Sequence, residues 1–459
     1  MLRKHIKKIL FFSFLLSFIY GFPSGACGDV INIYSLEEFI KMAVKFSPQI
    51  KEMEQEVEMA KTRLQEAEGY QWPQIEVTAL SGPAPRARGD QIHSDYRNDR
   101  LSGIGIFGNV EVKIVQPIYT FGKITESKKA ATHGIMVDES RVQQKAADIA
   151  VEIKKYYYGY LASLEGRKLV NEIDGYLDKA IERTKKLLGA ESAYVTELDL
   201  YKLESYKGLL AKYAEETNKN IIMSKEALRT FAGIDKDAEF ELKDRTLEPV
   251  EVKPESLGFY INKSRELRPE FAQLREGIEA KKALVDVADA DFYPDIFAAA
   301  FYSYAEATER DKVTNPWIHD YFRHNVGGVV LGLKWDIDFG ITKARYRRAK
   351  ADHLKYERLR DYANIGIPLE VEKTYRELLE EKKNIEATGT ASGLARKWMV
   401  GAVMNYDMGI GESRDVADAI VAYGKMAEEY IKSVYNYNMN YANLLQTSGL
   451  SIREIPGKY

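Results

Sequence analysis

The run from Gly122 to about Leu188 limits the fold more than any other stretch of the sequence. It carries no proline, and its apolar residues recur at steps of three and four. Ile149, Ile153, Tyr156, Tyr160 and Leu164 form one stripe, continued by Val170, Ile173, Leu177, Ala180, Thr184 and Leu187. That spacing predicts a long amphipathic helix with a seam like that of a coiled coil. At a rise of ~1.5 Å per residue it reaches ~100 Å, far beyond the width of a small domain. Such a helix has to lie lengthwise against something equally long.

The rest of the chain supplies that partner twice. Leu36 to Glu68 reads as an amphipathic helix, with Ser35 as N-cap and Glu38 closing a capping box. Pro48 sets its first turns apart as a short separate helix. After Trp72-Pro73 the period becomes two, with Ile75, Val77 and Ala79 alternating with Gln74, Glu76 and Thr78, as in a half-buried strand. Ser81 to Ser102 is rich in Pro, Arg, Asp and Gly and reads as a long loop. A second strand follows, with Val110, Val112 and Ile114 alternating with Asn109, Glu111 and Lys113. After the long helix come a turn at Gly189 to Ala193 and a return helix from Thr196 to Phe231.

Ser35-Leu36 then recurs as Ser256-Leu257, Pro48 as Pro269, and Trp72-Pro73 as Tyr293-Pro294, each displaced by 221 positions; Phe121-Gly122 recurs as Phe339-Gly340, displaced by 218. The shortfall lies in the strand–loop–strand segment, where length changes cost least. The chain is therefore divided into residues 27–233 (strands 74–80 and 104–115, long helix 122–188) and residues 256–449 (strands 295–304 and 326–335, long helix 342–408). A charged linker, 234–255, joins them, and 450–459 form a tail. Within the linker, Phe240–Leu242 and Val250–Val252 alternate and suit a small strand layer at the middle of the rods.

Residues 1–26 read as an export signal. Arg3, Lys4, Lys7 and Lys8 precede the apolar stretch Ile9 to Tyr20, and Ser24-Gly25-Ala26 is a small-residue cleavage site. Cys27 follows directly as the single cysteine, a position open to lipidation and to no internal disulfide. Past residue 20 no apolar run is long enough for a transmembrane helix, so membrane contact falls to strands or a lipid. A net charge of −3 gives no basic field for nucleic acid.

The four alternating strands each approach the ~9–11 residues that cross a bilayer. Trp72, Tyr119, Tyr293, Tyr302, Tyr304 and Trp335 stand near their ends, as interfacial aromatics do. Four strands do not close a barrel, and lipid does not tolerate an open edge, so a spanning chain of this kind has to oligomerise. Glu111, Lys113 and Lys334 fall on the faces suited to a water-filled lumen. No phosphate-binding glycine loop, nucleophile elbow or helical zinc-type histidine pair occurs, which argues against an enzyme and implies no cofactor or metal.

The order of these features resembles the TolC-like outer-membrane factor family, the exit ducts of efflux pumps and type I secretion systems. The resemblance spans Ser35–Gly449. It rests on the duplicated plan, on Trp72-Pro73-Gln74 and Tyr293-Pro294-Asp295, on Gln116-Pro117-Ile118-Tyr119 with Gly122, and on the turns after each long helix. It implies a mainly α fold with a transmembrane β-barrel contribution: a homotrimer with a twelve-stranded barrel continued into a helical periplasmic tunnel. It implies a passive outer-membrane channel, partnered by a periplasmic adaptor and an inner-membrane pump. Asp415 and Asp418, in Asp-Val-Ala-Asp-Ala, match the family's paired aspartates at the periplasmic gate. Gly189, Thr196, Glu197, Gly411 and Arg414 fall at the tips expected to meet the adaptor. The residues alone leave another reading of the aspartates open, as caps on a helix N-terminus behind Ser413. They leave another reading of the chain open too, a non-transporting envelope scaffold anchored through Cys27.

Overall fold

The computed structural model describes residues 32–87, 103–191, 195–313 and 315–454. The expected export signal and Cys27 lie outside these residues, as does most of the Ser81–Ser102 segment.

The elements repeat in length as well as in order. Strand β1 (Asn32–Tyr34) leads into α1 (Leu36–Phe46) and α2 (Pro48–Gly69), then β2 (Gln74–Pro85), β3 (Ile104–Tyr119), α3 (Lys123–Gly189) and α4 (Glu197–Ala232). Strand β4 (Phe240–Leu242) stands between the halves. The second half runs α5 (Leu257–Leu267), α6 (Pro269–Ala290), β5 (Asp295–Ala307), β6 (His324–Lys334), α7 (Ile341–Asp407) and α8 (Ser413–Thr447), ending in a 3-10 turn at Leu450–Glu454. Helices α1 and α5 have 11 residues each, α2 and α6 22, and α3 and α7 67.

Local chemistry sets these boundaries. Ser35 and Glu38 form the reciprocal capping box at the start of α1. Pro48 and Pro269 each open a new helix at its first turn, where the missing N–H costs nothing. Gly122, at φ 93°, makes the sharp entry into α3. Asp338 starts α7: its carboxylate accepts from the backbone N–H of Gly340 and Thr342 and from the Thr342 hydroxyl at 2.6–3.1 Å. These bonds hold its pKa down at about 2.

Helices α1, α2, α4, α6 and α8 all pack along α3. Its seam differs in one respect from the sequence expectation. The buried residues are Ile149, Ile153, Tyr157 and Leu161, whereas Tyr156 and Tyr160 are only partly buried. Steps of four run slightly ahead of the 3.6-residue turn, so the buried stripe drifts across the helix surface. Helix α7 packs on α6 and α8 but carries Pro368 within it, which removes one backbone donor near the middle of the rod. At that level β1 and β4 pair in parallel, Asn32 with Phe240 and Tyr34 with Leu242, and Phe39, Phe240 and Tyr157 form the core beneath. Residues 250–252, the other expected piece of this layer, form no strand.

The four long strands make one antiparallel sheet in the order β2-β3-β5-β6. Strand β2 runs to Pro85, into the segment expected to be loop, because Ser81 to Pro85 pair with Gly108 to Ile104. Its prolines are tolerated there because β2 is an edge strand. No helix among the described residues is long and apolar enough to cross a membrane.

Candidate functional site: a two-faced sheet and the helical tips

Pairing places the alternating apolar positions of the four strands on one face of the sheet. Ile75, Val77 and Ala79 stand opposite Ile114, Val112 and Val110. Val110, Val112 and Ile114 stand in turn beside Tyr304, Tyr302 and Ala300, and Ala300, Ala298 and Ile296 beside Val329, Leu331 and Leu333. This face is open to the surroundings: Val329 and Leu331 are 80% and 74% exposed.

The other face is polar. Glu76 pairs with Lys113, Thr78 with Glu111, Glu111 with Ser303, and Asp295 with Lys334. Phe297 and Phe301 share this face and lie over Gly332 and Gly328, where a Cβ would come within 2.6 and 3.1 Å of their rings. Glycine opposite phenylalanine keeps these rings flat on the sheet.

Exposed aromatics surround the junction between sheet and helices. Trp72, Tyr119, Tyr293 and Trp335 are all exposed; Phe121 stacks on Tyr293 at 4.9 Å, and Trp335 donates its indole N–H to the Phe292 carbonyl at 3.2 Å. Lys123 bridges Asp291 and Asp295 at 3.1 and 3.2 Å, tying the start of α3 to the β5 junction.

The opposite end is built from two helical hairpins, α3–α4 and α7–α8, packed around Leu177, Leu203, Met399 and Val416. Gly189 ends α3, and Thr196 caps α4, its backbone N–H and hydroxyl both donating to Asp199 at 2.9 and 2.8 Å. Glu197, the first helical residue, accepts from the Tyr201 hydroxyl at 3.0 Å. Gly411 lies in the second turn, donating its N–H to the Asn405 carbonyl at 3.1 Å. Gly189, Thr196, Glu197 and Arg414 are exposed and Gly411 partly so.

Asp415 and Asp418 both lie early in α8 and are exposed. Glu412, not Ser413, is the N-cap residue; Ser413 is already helical and buried, and its hydroxyl donates across to Asp199 of α4. Asp418 is paired within its own chain, 3.4 Å from Lys202 and 3.8 Å from Arg414. Burial opposes ionisation of Asp199, but the hydrogen bonds from Ser413 and Thr196 outweigh it and hold the carboxyl below its usual range.

Two more ties join the hairpins. The Thr184 and Tyr406 hydroxyls meet at 2.6 Å inside the core. Glu172 accepts from Tyr423 at 2.8 Å and pairs with Arg396 at 2.7 Å. Burial, then the carboxylate of Glu172, pushes the Tyr423 hydroxyl up to about 12. Sequence reading missed Lys202, Asp199, Glu172, Arg396 and Thr184 as a set. Each sits on an ordinary charged or apolar helix face, and its partner lies more than 200 residues away. Among the described residues, no group of His, Cys, Asp and Glu is arranged to hold a metal.

The described chain thus joins an open, two-faced four-stranded sheet to a helical bundle whose two longest helices have 67 residues each. Residues 260–450 match the family model described as outer membrane efflux protein. That match lies in the second half of the chain, from α5 to the start of the closing 3-10 turn.

Solved structures agree on the fold across nearly the whole chain. A membrane protein from Pseudomonas aeruginosa superposes with a TM-score of 0.75 at 15% identity, over 92% of this chain and 91% of that one. The Campylobacter jejuni CmeC outer membrane channel gives 0.75 at 14%, over 90% and 85%. The open state of the Neisseria gonorrhoeae MtrE outer membrane channel gives 0.71 at 14%, over 92% and 91%. At such identities the likeness is one of fold. No curated protein matches the chain in sequence.

Proposed function

We propose that three copies of this chain close one twelve-stranded barrel in the outer membrane, and that their helices continue it as a tunnel through the periplasm. The duct is passive: a periplasmic adaptor docks on it, and an inner-membrane pump supplies the energy. The observation that carries this reading is the four-stranded sheet, apolar on one face, polar on the other and open at β2 and β6. In a bilayer those edges have to be paired, and three copies joined β2 to β6 pair them all without a helix of their own in the membrane. The helices below, at ~100 Å, are long enough to carry a tunnel well beyond the membrane.

The hairpin ends at Gly189, at Thr196 and at Gly409–Ser413 lie at the end of the rods away from the sheet, and they suit the adaptor's contact. Gly189, Thr196, Glu197, Gly411 and Arg414 are the residues of this chain we assign to it. Asp415 and Asp418 would each repeat three times around the axis and draw cations, as acidic rings do in cation-selective pores. The Lys202–Asp418 pair joins α4 to α8, so that ring is coupled to the first hairpin. Conductance of the purified protein in planar bilayers tests the whole: ion-conducting events that become less cation-selective in Asp415→Ala/Asp418→Ala support it. A protein that inserts and never conducts would leave only an envelope scaffold.

A further inference from the structure

We propose that the segment joining β5 to β6 is a strap that folds into the barrel and narrows its outer mouth, so that it sets the size of solute able to pass. The proposal rests on the reading of the polar sheet face as a lumen, and adds to it a constriction at the end opposite the helical tips.

The path of the chain is the first observation. Strand β5 is separated from β2 by β3. Beyond Ala307, however, the chain reaches the end of β2. Arg310 bridges Ala87 in parallel, the Asp311 N–H donates to the Ala87 carbonyl at 2.9 Å, and the Arg310 guanidinium donates to the Pro85 carbonyl at 2.7 Å. To arrive there it has to pass over β3, and it does so at Gly105. A Cβ on Gly105 would lie 2.2 Å from the Thr308 carbonyl oxygen, so the crossing is in backbone contact. Glu309 takes the left-handed backbone, φ 61°, that turns the chain across.

The face being crossed is the second. Gly105 alternates with Ile104 and Ile106, which belong to the apolar face, so its missing side chain points to the polar one. Burial agrees: Ala84, Ala305 and Ala307 on the polar face are 1%, 1% and 4% exposed, whereas Ile104 and Ile106 behind them are 65% and 67% exposed. The small residues are covered by the strap, and the large ones are left for lipid.

The third is how firmly the strap is fastened. Asp320, 3% exposed, receives the Arg310 Nε at 3.0 and 2.7 Å and the Phe322 N–H at 3.0 Å. The guanidinium lies 5.0 Å over the Phe322 ring, which meets Phe107 edge-on at 5.1 Å on the polar face. The Arg323 guanidinium donates to the Arg310 carbonyl. His324 contacts the Asp320 carbonyl through Nδ1 at 2.8 Å and the Ser303 hydroxyl through Nε2 at 2.7 Å. Burial alone would push the Asp320 carboxyl up, but Arg310 and the Phe322 N–H hold it below its usual range, so the pair stays ionised. A buried ion pair persists only with such hydrogen-bonding support. Both legs of the strap are thus tied down over the polar face, and three copies around an axis would converge at the mouth.

The test reads access from outside. A cysteine is placed at Glu111, exposed on the polar face below the strap. Intact cells carrying this chain are labelled with a small maleimide and with bulky polyethylene-glycol maleimides, against the chain lacking the new cysteine. A second chain also has residues 309–322 replaced by a short Gly/Ser turn, which leaves the β5–β6 pairing in place. Small reagent only in the first chain, and both reagents in the second, is the expected result. Gly105→Val, which displaces the strap without shortening it, should also admit the bulky reagent. Equal bulky labelling with and without the strap overturns the constriction. Absence of any labelling in all three, with trimers intact, overturns the lumen reading beneath it.

Discussion

The strand end and the helical-tip end of this chain differ in what a single copy completes. At the tips the two hairpins close on one another: Leu203, Met399 and Val416 are fully buried, and Asp199–Ser413, Lys202–Asp418 and Thr184–Tyr406 join the halves. At the strand end a single copy leaves two sheet edges open and a whole apolar face exposed. The difference teaches that the tip is a property of the chain, whereas the barrel is a property of assembly and lipid. Substitutions at the two ends should therefore fail in different ways.

The largest effect is expected on the apolar face of the sheet. Leu331→Arg puts a charge toward lipid at a cost of about 2–4 kcal/mol near the bilayer midplane, repeated in each copy. Trimers should be lost from the membrane fraction. Val330→Arg, one residue away on the polar face, should assemble and alter ion selectivity instead. If the two variants assemble equally well, the faces have been assigned wrongly.

In the tip core, Met399→Ala should cost about 2–5 kcal/mol, since a fully buried side chain leaves a cavity. Here the trimer should persist, and hydrogen exchange should rise only in the lower halves of α3, α4, α7 and α8. Thr184→Val is expected to be milder, about 1–3 kcal/mol, because it leaves the Tyr406 hydroxyl without its buried partner. Exchange rising in the sheet after either change would deny the independence of the two ends.

Between the ends, Asp148 of α3 accepts from Gln446 of α8 at 2.7 Å, with Lys145, Glu270 and Arg268 around it. Burial raises its pKa above the ordinary 3.8. A carboxyl with a raised native pKa binds its proton more readily folded than unfolded, so its contribution to stability grows as pH falls through the native value and levels off below 3.8. Asp148→Asn should flatten that part of the melting-temperature profile while leaving barrel and tip exchange unchanged. An identical profile in the variant would place the titration elsewhere.

How much of this could be read from the sequence follows the range of the interactions. The strands, the helix breaks at Pro48 and Pro269 and the duplication are local signals, since alternation, caps and prolines act over a few residues. The capping box of Ser35 and Glu38 is the clearest case. The same local reasoning placed a cap at Ser413, whose hydroxyl turns instead to Asp199 on another hairpin. It ended β2 near residue 80, because Pro83 and Pro85 look like loop until the pairing with β3 is seen. Asp415 and Asp418 were legible as a pair early in a helix, but the Lys202 that engages Asp418 lies 216 residues away and carries no mark in the sequence. The strap between β5 and β6 was not legible, since nothing near Gly105 announces that Thr308 crosses it.

The central claim is that the open sheet is one third of a barrel. Native mass measurement of the protein extracted from membranes in mild detergent tests it most directly. Three chains per particle, falling apart only when the detergent is made denaturing, is the result expected. A monodisperse single chain that stays soluble after the detergent is removed would contradict it, because one copy cannot hide the apolar face of β2, β3, β5 and β6.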